Sequence, residues 1–142
     1  MRYIQLFEKY VRMKSDAIGY NIGEYIYHVT SIKNLNNIKQ KGFRPQNGTS
    51  INGKKYENRI YFATSLIAAY DISLNFGSYK KDNEYVIFKL DSNCLENGYE
   101  KDPLFVHGIY VDYPVGKKYI VDIIKADDLF NKYDENDLEN LY

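Results

Sequence analysis

The spacing of apolar positions along this chain changes several times, and each change marks an element. Tyr3, Ile4, Phe7, Tyr10, Val11 and Met13 recur three and four residues apart, with Glu8, Lys9 and Arg12 between them. That period predicts an amphipathic helix over 1–18, its apolar stripe packed on the domain. Gly19 and Gly23 punctuate a loop. Residues 24–29 (Glu-Tyr-Ile-Tyr-His-Val) read as a strand, after which Thr30 or Ser31 caps a helix with apolar positions at Ile32, Leu35 and Ile38. Gly42 fits the C′ position of that helix, where left-handed backbone costs glycine least. Residues 45–58 are polar, carry Asn47-Gly48 and Asn52-Gly53 as turn signals, and read as a mildly basic loop.

Residues 59–63 (Arg-Ile-Tyr-Phe-Ala) form a short run rich in aromatic and branched side chains, a buried strand. Thr64 and Ser65 are hydroxyl residues of the kind that cap a helix, and 66–74 carries a helix-compatible apolar pattern. A strand that turns into a capped helix leaves backbone N–H groups at its open end, a natural place for an anionic ligand. A second polar loop spans 75–83, and 84–91 is the clearest strand of the chain. Beyond it, 92–103 reads as loop, 105–112 as a strand, Pro114-Val-Gly116 as a turn, and 118–124 as the partner of the 105–112 strand. Residues 126–133 predict a short helix, and 134–142 an acidic, frayed tail. No regular strand–helix alternation and no repeat appears. The expectation is therefore one α+β domain over 1–142, with a mixed, mostly antiparallel sheet.

Composition narrows the partners. Lysine and arginine number 19, as do aspartate and glutamate, so no strong field draws the 142-residue chain to nucleic acid or an anionic membrane. Nucleic acid stays possible but is not indicated by charge. Cys94 is the one cysteine, which excludes an intrachain disulfide and a cysteine-based metal cluster. The first 15 residues lack the apolar core of a signal peptide, and no apolar run nears the roughly 20 residues of a membrane span. A cytoplasmic protein without membrane contact is the expectation.

Chemistry enters when two stretches are set side by side. Tyr27-His-Val-Thr30 ends one strand and is followed by a helix that closes in Gly42-Phe-Arg44-Pro. Ile60-Tyr-Phe-Ala63 then stands before a helix of small residues. This order of motifs resembles the ADP-ribosyltransferase superfamily, in the branch that includes poly(ADP-ribose) polymerases, rifampicin ADP-ribosyltransferases and DNA-modifying toxin relatives. The resemblance covers 25–91 well and 105–130 loosely, and it implies a split mixed or antiparallel sheet with short flanking helices. It also implies NAD as co-substrate, without a metal. Through it, His28 would bond the adenosine-side ribose, Val29 the nicotinamide amide through its backbone, and Tyr61 would stack on the nicotinamide ring. Thr30, Ala63 and Ser65 would line the same pocket, Arg44 would reach a phosphate or the adenine side, and Tyr70 lies near the place of a second stacking aromatic. His107 has no motif around it and reads as structural.

Family members often place a glutamate at the start of a late strand, where it hydrogen-bonds the nicotinamide ribose and orients the acceptor. Here that position holds Lys117 or Lys118, whose charge has the wrong sign. Asp102-Pro103 resembles the Asp-Pro of the antibiotic-modifying branch, with Glu96 and Glu100 as fallbacks. Two outcomes therefore stand open. One is a mono-ADP-ribosyltransferase acting on an unidentified macromolecular or small-molecule acceptor. The other is a catalytically silent relative that binds a nucleotide or a protein partner, for example as an inhibitor.

Overall fold

The computed structural model describes residues 22–49, 55–79, 84–103 and 105–132. The helix expected over 1–18 and the tail from 134 lie outside the described residues. The described residues form seven strands: β1 (Tyr25–Ser31), β2 (Gln46–Thr49), β3 (Lys55–Ala63), β4 (Tyr85–Asp91), β5 (Glu100–Lys101), β6 (Gly108–Val111) and β7 (Ile120–Lys125). Three helices accompany them: α1 (Leu35–Lys41), α2 (Leu66–Tyr79) and α3 (Ala126–Lys132). Six strands follow one path, β5-β6-β3-β1-β4-β7, and β2 forms a hairpin with β3. The fold is α+β, and every strand pairing among the described residues is antiparallel.

β4 holds the sheet together because its side chains are apolar on both faces. Val86, Phe88 and Leu90 face one core, with Ile26, Ile60, Phe62 and Ile109 from neighbouring strands. Ile38 of α1 and the loop residues Phe43, Leu95 and Val115 close over that face. Ile87 points the other way, into a second core with Ala63, Leu129 and the α2 residues Ile67, Ala68, Ala69 and Tyr70. The period of two along β4 thus feeds two cores, and α2 lies close to the sheet because alanines face it.

Several elements differ from the reading of the sequence, β5 within the expected 92–103 loop among them. The polar stretch 45–58 holds β2 and the start of β3, which pair antiparallel; Asn47-Gly48 lies within β2, and Asn52-Gly53 lies outside the described residues. The 75–83 loop is shorter, α2 running on to Tyr79. The last strand does not pair with β6. β7 lies at the opposite edge and pairs with β4, from Val86↔Lys125 to Leu90↔Ile120. Pro114-Val-Gly116 makes no hairpin turn because Val115 is buried and exchanges both backbone bonds with Phe43 (2.8 and 2.9 Å). This anchor carries the chain across the first core to the β4 edge.

Gly42 makes that anchor possible. Its φ is +76°, and a Cβ there would lie 2.7 Å from the Val115 carbonyl oxygen and 2.9 Å from the Lys117 nitrogen. Both neighbours are backbone, so neither can swing aside. Gly42→Ala should therefore lose about 2–3 kcal/mol of stability, from strained backbone and forced separation of the Phe43–Val115 pair. A urea titration checks this, and a midpoint equal to the parent protein's would refute it.

Candidate functional site

The sheet parts between β1 and β3. β1 is paired with β4 along its whole length, Tyr25↔Asp91 to Ser31↔Tyr85. Toward β3 the register holds one pair, Tyr27↔Ala63. Beyond that pair the two backbones separate, and a side chain takes over: His28 Nδ1 lies 2.7 Å from the Tyr61 carbonyl oxygen. A carbonyl only accepts, so Nδ1 carries the proton and the neutral ring presents Nε2 as an acceptor. The ring is wedged edge-on against Phe43 (4.9 Å between centroids) and Phe62 (5.7 Å). Burial lowers the imidazole pKa below its ordinary 6.5, and the bond to the Tyr61 carbonyl only partly opposes this. The result is a neutral imidazole whose orientation is fixed by that carbonyl and the two rings.

Alternation places Tyr61 and Ala63 on the α2 face of the sheet, opposite to His28. On this face the register carries further residues into line. Tyr61 pairs with Tyr110, and Ala63 with Gly108. Tyr110 in turn pairs with Glu100. The Asp102 N–H donates to the Gly108 carbonyl at 3.0 Å, extending that ladder by one step. The Asp102 carboxylate consequently rides over Gly108, where an added Cβ would stand 3.0 Å from Oδ2. Asp102 thus shares a face with Tyr61. Arg59, two residues before Tyr61 on β3, donates from Nη1 to the Tyr61 hydroxyl at 3.0 Å, and its guanidinium lies 4.1 Å over the Tyr110 ring. The Arg59 pKa is raised by that hydrogen bond first, with the charge of Asp102 a smaller contributor.

The other expected site residues distribute as follows. Val29 is partly buried and packs with Ala63 and Tyr70 in the second core, where Tyr70 is 4% exposed. Ser65 caps α2, its hydroxyl accepting from the Ala68 N–H at 3.2 Å. Thr64 ties the helix start to the buried His107, whose carbonyl accepts from its N–H and its hydroxyl. The Thr30 hydroxyl accepts from the Asn34 amide at 3.0 Å, while Ser31 caps the turn Ile32–Asn34. Arg44 lies outside the opening, in a groove of about 490 Å³ shared with Lys41, Asn58 and Asp112. Phe43 joins the two places, since it also lines that groove.

Glu100 is exposed on β5, across from Tyr110. Glu96 is exposed and ends the turn Ser92–Leu95. Lys118 is exposed in the turn Lys117–Tyr119, its ammonium 5.1 Å over the Tyr119 ring. Sequence reasoning passed over Arg59, Tyr110 and Gly108. Arg59 was within reach, because it stands two residues before Tyr61 and so shares its face. Tyr110 and Gly108 depended on cross-strand register. Among the described residues no group of three His, Cys, Asp or Glu side chains is placed to hold a metal ion. No described helix is long and apolar enough to cross a membrane. In comparison with known proteins, the chain matches no protein-family model and no curated protein.

Proposed function

We propose that this protein is a mono-ADP-ribosyltransferase that takes ADP-ribose from NAD, releases nicotinamide, and adopts the split-sheet fold of that superfamily. The observation that carries the reading is the parting of β1 and β3 at His28 and Tyr61. There a neutral imidazole, fixed by the Tyr61 carbonyl, presents Nε2 to accept a hydroxyl. A ribose supplies such a hydroxyl. Tyr61 offers a ring face to a planar nicotinamide, and the Phe43 groove with Lys41 and Arg44 suits an anionic, adenosine-bearing half.

The chemistry asks one more thing of the protein. Breaking the nicotinamide–ribose bond leaves positive charge on the sugar, and a carboxylate held close to it lowers the barrier. Asp102 is suited to that task by its place on the Tyr61 face. The acceptor is a protein, nucleic acid or small molecule approaching from the same side. A silent nucleotide-binding relative is the competing reading, favoured by Lys118 at the late-strand position.

Two measurements on the intact protein separate these readings. NAD at a hundred times its dissociation constant should stabilise the fold by about 2.7 kcal/mol, visible as a thermal shift. Nicotinamide release in the presence of a cell lysate should accompany it. Binding without release or labelling assigns the silent module, and no shift at millimolar NAD removes the transferase reading.

A further inference from the structure

We infer that Arg59 is a positioning residue that holds the Tyr61 ring in its working orientation. The inference rests on the reading of Tyr61 as the nicotinamide-facing aromatic. A tyrosine on an open sheet face turns among rotamers, and each turn would tilt the stacking surface. Tyr61 is restrained at two points. Its hydroxyl accepts from Arg59 Nη1 at 3.0 Å, and its ring meets that of Tyr110 at 5.6 Å with an angle of 51°.

The same guanidinium lies over the Tyr110 ring, its Cζ 4.1 Å from the centroid. Arg59 therefore links the hydroxyl of one tyrosine to the face of the other, and the three side chains form a closed triangle. A guanidinium suits this place because it is planar: one face can rest on a ring while its edge donates. Lysine could donate but could not lie flat. The bulge that precedes Arg59 sets the geometry. Asn58 has a φ of +49°, and the β2–β3 register shifts by one residue between Gln46 and Gly48. Without that extra residue, the alternation reaching β3 from the hairpin would turn Arg59 and Tyr61 to the opposite face.

The test combines Arg59→Met, Tyr61→Phe and the double variant, all keeping an apolar body at each site. Three readouts are needed: NAD affinity by calorimetry, thermal midpoint, and motion of the Tyr61 ring by carbon-13 NMR. If Arg59 acts through the Tyr61 hydroxyl, each single change should weaken NAD by about tenfold and the double change no further. The Tyr61 ring should lose order in Arg59→Met while the thermal midpoint moves little. Arg59→Lys should recover only part of the affinity. An equally ordered Tyr61 ring in Arg59→Met, unchanged affinity, or losses that multiply in the double variant would each overturn the inference. Absence of heat from the wild type with NAD would instead remove the reading of the site, and the proposed role with it.

Discussion

Replacing His28 by glutamine should weaken NAD binding by about 10- to 100-fold while leaving the protein folded, the largest loss expected from one contact. The range follows from removing an oriented hydrogen bond in a partly desolvated place. Glutamine keeps polar reach but lacks the ring that Phe43 and Phe62 clamp edge-on. Affinity should also depend on pH in a defined direction. The neutral ring accepts a hydroxyl at Nε2, whereas the protonated ring can only donate. Burial places the folded pKa below 6.5, so affinity should be level above that value and fall as pH drops through the depressed one. The folding free energy tied to His28 has the same sign. It is fully present above 6.5 and is lost as acid protonates the unfolded chain before the folded one. In His28→Gln the NAD affinity should lose this acid limb. Calorimetry at several pH values, with circular dichroism as the folding control, reads both effects. An unchanged dissociation constant in the variant would end the assignment of His28 to the ligand.

What the chain discloses before folding is local, and what it conceals is pairing. β4, Gly42 and the Ser65 cap follow from short-range rules, because apolar runs, left-handed backbone and hydroxyl caps act within a few residues. The β2–β3 hairpin hid behind polar side chains, since its strands are made by backbone pairing rather than by an apolar stripe. β7 went to the wrong partner because Val115 looks like part of a turn until Phe43, more than seventy residues earlier in the chain, is seen to bind it. The site divides in the same way. His28 and Tyr61 were legible as motifs, and so was Asp102. Their arrangement was not, because the side chains of His28 and Tyr61 lie on opposite faces and are joined only through the Tyr61 carbonyl. Arg59, Tyr110 and Gly108 gain meaning from register, which the order of residues does not state.

The second large effect concerns the carboxylate. Asp102→Asn should lower the rate of nicotinamide release by about a hundredfold or more, with NAD affinity nearly unchanged. A carboxylate that answers charge developing on the ribose acts chiefly in the transition state, so its loss belongs in kcat rather than in binding. The fold favours Asp102 over its rivals on three grounds. Its side chain rides over Gly108, in register with Ala63 and on the face of Tyr61. Its charge is felt by Arg59, the residue bonded to the Tyr61 hydroxyl. Lys118 stands in an exposed turn before the far edge strand, with a charge that would raise the barrier. Glu100 shares the strand edge but is exposed across from Tyr110, and Glu96 ends a surface turn, so Glu100→Gln and Glu96→Gln should leave turnover within a few-fold of wild type. Asparagine matches the shape of aspartate above Gly108, so the comparison isolates charge. Normal turnover in Asp102→Asn together with its loss in Glu100→Gln would move the carboxylate two residues along β5. Turnover equal to wild type in all three variants would show that none of these carboxylates serves the reaction.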